Sequence, residues 1–220
     1  MRMFLDSAKV DEIRFALEHW DIDGVTTNPR HVAATGRSQA AVLEEIAALF
    51  AGTDKPVSVE VNPHLTDWRE IVAAGEQLAR MSDNFVIKVG ASDAGFRAVR
   101  ELSSRGIPTN LTLVFSVAQA WLAARGGATY ISPFIGWKEQ FGDDGQQLVA
   151  DVAQMLSMHG YPSQIIAAAV RTGEHVRSAA LAGAHCVTAG RDVYADVCNN
   201  PYTDYGVKVF GAAWDATPAE

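Results

Sequence analysis

The chain has 220 residues, of which 48% are hydrophobic and 20% are charged, and its formal net charge at pH 7 is −8. This is the composition of a globular protein, and the acidic balance argues against nucleic acid as a partner. The chain contains no membrane-length apolar run, no signal-peptide pattern at the N-terminus, and too few cysteines (Cys186 and Cys198) for a disulfide framework. We therefore expect a cytoplasmic protein that binds neither membrane nor nucleic acid.

Eight short apolar segments, bounded by turn residues, have the pattern of strands. In chain order they lie at 3–6, 24–28, 56–61, 84–90, 108–114, 130–135, 164–170 and 186–190. Pro29 is expected to stop the second strand, because proline disfavours an extension of the ladder. A polar loop is expected at 136–145.

Helical patterns fill the intervals between these strands. They lie at 9–19, 38–50, 66–81, 92–104, 116–126, 145–159 and 173–183, followed by two further pieces near 192–198 and 202–215. Ser38, Thr66 and Ser116 are the predicted N-caps of three of them. Strands alternating with helices in this way predict an α/β fold, a single-domain (β/α)8 TIM barrel over residues 1–220 with an extra C-terminal helix at about 202–215. An open doubly wound sheet is the alternative, but the Gly-rich phosphate turn that it predicts after the first strand is absent.

Lys88 interrupts the fourth strand, where its neighbours are Phe85, Val86, Ile87 and Val89. Burying an ammonium without a partner costs several kcal/mol, whereas a neutral lysine amine is a nucleophile that forms Schiff bases with carbonyls. A lysine whose head reaches solvent at the strand end is the structural alternative.

Polar residues cluster at the predicted carboxyl ends of the strands, which is where TIM-barrel active sites lie. Because side chains alternate along a strand, the residues that share the inner faces can be named. They are Asp6, Thr26, Asn28, Ser58, Glu60, Lys88, Asn110, Thr112, Ser132 and Phe134, with Arg171 just past the seventh strand. Any one of them is explained by a turn or a local pair, but so many on one rim indicate an enzyme.

An amine, carboxylates, amides and hydroxyls together suit a carbon–carbon lyase that works through an imine. Lys88 would condense with a ketone, and Asp6 would take the proton from the hydroxyl whose carbon becomes the departing aldehyde. Glu60, with a water held by Thr112, would move protons during imine formation and hydrolysis, and such transfers are each worth about 10²–10⁴ in rate. Asn28, Asn110 and Ser132 would hold the bound three-carbon unit; Thr26, Ser58 and Phe134 complete the predicted substrate-binding set.

Several ordered motifs resemble the transaldolase family, class I aldolases of the barrel type. The most specific are Gly-Val-Thr-Thr-Asn-Pro at 24–29, Val-Ile-Lys-Val at 86–89, Gly-Ile-Pro-Thr-Asn-Leu-Thr-Leu-Val-Phe-Ser at 106–116 and Ile-Ser-Pro-Phe-Ile-Gly at 131–136. The length is similar to the short branch, which also holds fructose-6-phosphate aldolases. That aldolase branch has glutamine and tyrosine where this chain has Glu60 and Phe134, so both positions resemble true transaldolases.

The resemblance implies an enzyme without a metal or organic cofactor, acting on a small-molecule ketose donor and an aldehyde acceptor such as glyceraldehyde 3-phosphate. It also implies a homo-oligomer, in the short branch often a decamer, whose C-terminal helix packs on a neighbouring subunit. The six histidines agree with the absence of a metal, since they show no ligand spacing. They are interpreted as surface or helix-end residues: His19, His31, His64, His159, His175 and His185.

The departures from the family concentrate where the family binds the terminal phosphate of its substrate. Arg30 replaces a usual serine, Trp137 a usual arginine, and Ala169 a usual serine two residues before Arg171. A phosphate dianion favours paired arginines, whereas a sulfonate is a monoanion and a weaker acceptor. Arg30, Trp137 and Arg171 therefore predict an anion site for either of two donors: fructose 6-phosphate, or 6-deoxy-6-sulfofructose with loss of 3-sulfolactaldehyde.

Two other functions remain open at this point. An aldolase would release free dihydroxyacetone without an acceptor. A barrel that only binds a sugar phosphate, or serves as a scaffold, would not need Lys88, Glu60 and Asp6 together.

Overall fold

The computed structural model describes residues 1–218 and contains a closed barrel of eight parallel strands in sequence order. The strands are β1 Arg2–Asp6, β2 Gly24–Thr26, β3 Val57–Glu60, β4 Phe85–Gly90, β5 Thr109–Val114, β6 Tyr130–Pro133, β7 Gln164–Val170 and β8 Cys186–Ala189. The predicted (β/α)8 barrel is thereby confirmed.

Eleven helices are described within residues 1–218. They are α1 Val10–Trp20, α2 Pro29–Ala33, α3 Gln39–Phe50, α4 Trp68–Ala79, α5 Asp93–Ser104, α6 Val117–Arg125, α7 Ile135–Gln140, α8 Gly145–His159, α9 Gly173–Leu181, α10 Arg191–Val197 and α11 Pro201–Asp215. None of the described helices is both long and apolar enough to cross a membrane.

The barrel closes where β1 pairs with β8, with Phe4 opposite Thr188. The Tyr194 hydroxyl of α10 reinforces this seam, since it lies 2.7 Å from the carbonyl oxygen of Phe4 and 3.2 Å from that of Val187. A buried layer of Phe4, Val86, Tyr130, Ile166 and Cys186 fills the barrel interior. The larger hydrophobic core lies between the strands and the helices. Because the interior is filled with side chains, the strands hold their positions as a rigid support for their carboxyl ends.

The strand register brings the predicted reactive residues to the same end of the barrel. Glu60 of β3 is opposite Lys88 of β4, and Lys88 is opposite Asn110 of β5. Gly90 is opposite Thr112 one step nearer the carboxyl end. An inward side chain on each of three adjacent strands therefore converges on one region.

Two short helices were not expected from the sequence. β2 ends at Thr26, earlier than the predicted stop at Pro29, and Pro29 instead starts α2, because its fixed φ suits the first helical position and Asn28 supplies the N-cap. The predicted loop at 136–145 instead contains α7, which begins at Ile135. Both helices are about one to two turns long, too short for a periodic apolar pattern. The predicted N-cap Thr66 is also wrong, since Asp67 caps α4 and accepts from the N–H of Arg69.

The strand ends on either side of β6 carry irregular backbone. Leu113 and Ala169 have φ of 58° and 55°, and the register shifts beside each of them. A left-handed conformation at a non-glycine residue costs on the order of 1–3 kcal/mol and is found most often at functional sites. Both residues line the cavity described below.

Candidate active site

A cavity of about 650 Å³ opens at the carboxyl ends of the strands. Its wall includes most of the predicted site residues: Asp6, Thr26, Asn28, Arg30, Glu60, Lys88, Thr112, Ser132, Phe134, Trp137 and Arg171. Ser58 and Asn110 are not part of this wall and are buried beneath it. The structure thus brings together residues from six strands and two short helices.

Lys88 is 5% exposed, and its Nζ has two partners. It lies 3.2 Å from Glu60 Oε2 and donates a hydrogen bond of 3.0 Å to the carbonyl oxygen of Thr27. The possibility of a lysine head reaching solvent is therefore excluded, and so is an unpartnered amine. An ion pair this deeply buried is retained only when its geometry is good, and here the carboxylate that pairs with the ammonium is also placed to accept its proton.

Thr112 faces the same cavity from β5. Its hydroxyl is buried and has no hydrogen-bond partner within the described part of the chain. Leaving such a group unsatisfied costs on the order of 1–3 kcal/mol. A hydroxyl held at that cost in the same cavity as Lys88 is suited to bind a group of a bound molecule or a water.

Asp6 is held through both carboxylate oxygens. Oδ1 accepts from the Thr26 hydroxyl at 2.7 Å, and Oδ2 lies 3.0 Å from His31 Nε2. Burial opposes ionisation of Asp6, but the hydrogen bond and charge of His31, with help from Lys88 and Thr26, outweigh it, so the pKa of this carboxyl is lowered. Asp6 is therefore a carboxylate throughout the neutral pH range.

The direction of the Thr26 hydrogen bonds follows from this charge. A carboxylate only accepts, so Thr26 must donate its one proton to Asp6. The Thr188 hydroxyl, 2.6 Å from that of Thr26, must then donate to Thr26. A chain of two hydroxyls from β8 and β2 thus ends on Asp6.

Asn28 presents its amide donors to the cavity. Its Oδ1 caps α2 by accepting from the N–H groups of Arg30 and His31 at 3.0 and 3.1 Å. Only an oxygen can accept these bonds, so the orientation of the side-chain amide is fixed. The Nδ2 hydrogens are left for a hydroxyl or carbonyl of a bound molecule.

Ser58, Asn110 and Ser132 form a buried polar chain across three strands. Asn110 Nδ2 donates to the Ser58 hydroxyl at 3.1 Å, and the Ser132 hydroxyl donates to Asn110 Oδ1 at 2.8 Å. Since its proton is used in this way, Ser132 faces the cavity with acceptor lone pairs. Asn110 and Ser58 therefore orient Ser132 from below, at a level that the cavity itself does not reach.

Arg30, Trp137 and Arg171, which we call the arginine–tryptophan set, lie at the outer part of the cavity wall. Trp137 packs edge-on against Phe134 at 5.4 Å between ring centroids and stacks on Phe115 at 6.4 Å. Both arginines are exposed. Their positive charge and the indole N–H are suited to a terminal anion.

The support for Arg171 comes from α7 and α9. Gln140 Oε1 accepts from the Arg171 guanidinium at 3.2 Å, and His175 Nδ1 accepts from the Arg171 backbone N–H at 3.1 Å. His175 Nε2 then donates to Glu139 at 2.7 Å. Gly136 permits the close approach of α7 to β7, because a Cβ there would clash with the Ala169 carbonyl oxygen.

Four neighbours of the site were missed in the sequence: His31, Phe115, His175 and Thr188. His31 and His175 lie in the first turns of α2 and α9, as the interpretation of the histidines as surface or helix-end residues allows, but His31 also contacts Asp6 and His175 is only 8% exposed. In both pairs, His31–Asp6 and His175–Glu139, the residues lie more than 20 positions apart in the sequence, so no local spacing predicts the contact. Of the four residues, Thr188 could have been predicted, because the alternation of side chains along β8 places it on the inner face of the barrel.

Comparison with known proteins adds to this geometry. A model of the family described as transaldolase/fructose-6-phosphate aldolase matches residues 3–217. The chain belongs to this family. The prediction of a transaldolase-type transferase is thereby confirmed.

Curated relatives of this family match over nearly their whole lengths. The chain is 48% identical over 221 residues to a 6-deoxy-6-sulfo-D-fructose transaldolase of Priestia aryabhattai, with 100% of this chain and 98% of the relative covered. A protein of the same description from Priestia megaterium matches equally well. A probable transaldolase of Lactiplantibacillus plantarum is 42% identical, covering 100% of this chain and 99% of the relative.

Proposed function

We propose that the protein transfers a dihydroxyacetone unit from 6-deoxy-6-sulfofructose to an aldehyde acceptor such as glyceraldehyde 3-phosphate. The observation that carries the proposal is the Lys88–Glu60 pair, 3.2 Å apart on the wall of the cavity whose outer part holds the arginine–tryptophan set. The amine supplies the covalent chemistry, and the outer residues select the anion at the far end of the sugar.

The first step is imine formation. Glu60 takes a proton from the Lys88 ammonium, and the neutral Nζ attacks C2 of the ketose. Loss of water from the carbinolamine gives a protonated Schiff base, with Glu60 and a water held by Thr112 carrying the protons. The unpaired hydroxyl of Thr112 supports this role.

Cleavage of the C3–C4 bond follows. Asp6 takes the proton of the C4 hydroxyl, and the O–H electron pair forms the C4 carbonyl. The C3–C4 electron pair then becomes the C2=C3 bond, while the π pair of the C2=N bond moves to the Lys88 nitrogen to give a neutral enamine. The aldehyde leaves, and an acceptor aldehyde reacts by the reverse sequence. Asn28 and Ser132 hold the hydroxyls of the bound unit, and Thr26 fixes the Asp6 carboxylate.

Three features favour a sulfonate over a phosphate at the far end of the donor. The outer cavity offers two arginines on separate elements and one neutral N–H from Trp137, where a phosphate dianion favours bidentate arginine pairs. Ala169 has no hydroxyl to contribute as a further donor. The Priestia relatives, 48% identical, are described as transaldolases of the sulfonated sugar.

The test is a comparison of kcat/KM for 6-deoxy-6-sulfofructose and fructose 6-phosphate with the same acceptor. We expect the sulfonated donor to be preferred by at least about tenfold, which corresponds to one charge-assisted hydrogen bond of the weaker kind. A strong preference for the phosphorylated donor would contradict the sulfonate assignment and leave fructose 6-phosphate as the donor.

The same assay distinguishes transfer to an acceptor from the aldolase alternative, which is release of free dihydroxyacetone. Without an acceptor, a transaldolase releases one equivalent of aldehyde per active site and stops as the covalent adduct. Continued release of dihydroxyacetone at the transfer rate would indicate the aldolase. Glu60 and Phe134, rather than glutamine and tyrosine, are the residues that favour transfer.

We also propose that the barrel is a single domain over residues 1–220, of which 219–220 lie outside the described residues. We propose further that α11 packs on a neighbouring subunit of a homo-oligomer, in the manner of the decamers of the short family branch. The helix has no buried residue among those described, although it carries large apolar side chains. Tyr202, Phe210 and Trp214 are each more than three-quarters exposed. An apolar helix face of this kind in water is typical of a partner interface.

Sedimentation of the full chain and of a Phe210→Asp/Trp214→Asp double variant tests the assembly. We expect an oligomer for the parent chain and a smaller species for the variant, since two carboxylates cannot be buried unpaired. A monomeric parent chain would refute the assembly.

A further inference from the structure

His31 lies at the boundary between the main cavity and a side cleft lined by Ser7, Lys9, Glu12 and Arg191. Its ring is about one-third exposed, and its Nε2 is 3.0 Å from Asp6 Oδ2. Asp6 is ionised and can only accept, so Nε2 must carry a proton and donate it to this hydrogen bond. The histidine therefore contacts the carboxylate that the cleavage step depends on, and nothing in the mechanism above has used it.

The backbone holds His31 in this place. It is the third residue of α2, and its own N–H binds Asn28 Oδ1, the atom that fixes the Asn28 amide. The short helix thus carries a substrate-facing amide and a carboxylate-facing imidazole on one rigid turn.

We propose that His31 is a positioning residue that holds the Asp6 carboxylate in the orientation for removal of the C4 hydroxyl proton. The proposal rests on the function proposed above. Thr26 fixes Oδ1 and His31 fixes Oδ2, so the carboxylate cannot rotate about its χ2 torsion and the lone pairs that remain point to the cavity. Without His31, one side of the carboxylate would be free to turn toward the side cleft and its water.

His31 also keeps this carboxylate charged. Burial favours the neutral acid, and the hydrogen bond from His31 is the foremost of the contacts that reverse this and lower the pKa of Asp6. The other charged groups around Asp6 are Arg30, Glu60, Lys88 and Arg171 in the main cavity, and Lys9, Glu12, Arg191 and Asp192 around the side cleft. Of these, Lys88 also acts to lower the pKa.

The sign of the pH effect follows from the role of Asp6 as a base. The ionised form is active, so a lower pKa extends activity toward acid. Loss of His31 raises the pKa of Asp6, and the acid limb of the pH profile for aldehyde release then moves to higher pH.

The experiment compares His31→Leu with His31→Gln in single-turnover release of aldehyde from 6-deoxy-6-sulfofructose, using fructose 6-phosphate if the parent enzyme prefers that donor. Glutamine keeps an N–H donor near the position of Nε2 but carries no charge. We expect His31→Leu to slow release by about 10- to 100-fold, with the half-saturating donor concentration changed less than about threefold and the acid limb moved to higher pH. His31→Gln should recover most of the rate at neutral pH while keeping part of the shift.

Borohydride trapping of the Lys88 adduct separates this inference from the function on which it rests. Imine formation does not use Asp6, so all three proteins should trap the ketose equally. A parent protein that traps no ketose would overturn the proposed function. If the parent traps the ketose and His31→Leu keeps the parent's release rate and acid limb, the proposed role of His31 is overturned. Equal losses of release rate in His31→Leu and His31→Gln would overturn it too. His159→Gln, at the exposed end of α8, is the matched control and should behave as the parent.

Discussion

The two ends of the cavity are built in different ways. The inner end contains Lys88, Glu60 and Asp6, which are held by strands β1, β3 and β4 and by hydrogen bonds whose directions follow from the charges. The outer end contains the arginine–tryptophan set, carried by two short helices and a loop, with both arginines exposed. A buried charge interacts strongly with its neighbours, and its side chain is held in one position. An exposed charge is screened by solvent and salt, and its side chain can change position.

This contrast suggests a division of labour. The chemistry requires groups fixed within a fraction of an ångström, and the barrel strands supply them. The choice of donor requires groups that change without disturbing the strands, and Arg30, Trp137 and Arg171 lie outside the strands. Changes to the inner end should therefore abolish turnover of every donor, and changes to the outer end should alter only the preference between donors.

Lys88→Met should have the largest effect, because it removes the one lysine amine that lines the cavity within residues 1–218 while keeping the volume of the side chain. We expect the transfer rate to fall by about 10⁴-fold or more for sulfonated, phosphorylated and uncharged ketoses alike. Steady-state rates with the three donors provide the measurement, with the melting temperature as a check on folding. Transfer at the parent rate with any donor would end the imine mechanism.

Glu60→Gln should come next. Glutamine is nearly isosteric but cannot accept the Lys88 proton, so imine formation should slow by about 10²–10⁴-fold, as measured by stopped-flow trapping of the adduct. Glu44→Gln, on the exposed face of α3, is the matched control. If both variants formed the imine at the parent rate, Glu60 would have no part in the proton transfer.

Arg171→Met addresses the outer end. Loss of one charge-assisted contact should raise KM for an anionic donor by about 10- to 100-fold and change kcat by less than about threefold. Uncharged fructose should be turned over as before, and Arg177→Met, which lies on α9 and pairs with Glu174, should leave all constants unchanged. An equal loss for charged and uncharged donors would show that the two ends are not separate.

Tyr194→Phe should have the smallest effect, since Tyr194 closes the β1–β8 seam and touches neither end of the cavity. We expect the free energy of unfolding to drop by about 1 kcal/mol with unchanged kcat/KM. Because burial raises the pKa of Tyr194 above its ordinary value, the unfolded chain loses this proton first, and the parent loses stability as pH rises through about 10. The phenylalanine variant should lack that alkaline loss, which urea unfolding at pH 8 and pH 10.5 would detect. An unchanged pH dependence would contradict it.

The strands and the side chains on their inner faces could be predicted from the sequence, whereas the short helices and several tertiary contacts could not, for physical reasons. Strands such as β4 and β7 consist mostly of apolar residues, so the sequence predicted where they begin and end. It also predicted the face of β4 on which Lys88 lies. The helices α2 and α7 are too short for a periodic pattern, and they carry the residues that surround Arg30 and Trp137. The hydrogen bonds of His31 to Asp6 and of His175 to Glu139 depend on tertiary contacts that no local spacing encodes.

The central claim is that one buried amine forms the covalent adduct, and borohydride reduction in the presence of the ketose followed by peptide mass analysis tests it most directly. The chain has four other lysines, Lys9, Lys55, Lys138 and Lys208, which serve as internal controls. The proposed mechanism predicts one added ketose-derived mass, on the peptide that contains Lys88, and none in Lys88→Met. Turnover without any adduct, or an adduct on another lysine that Lys88→Met retains, would contradict it.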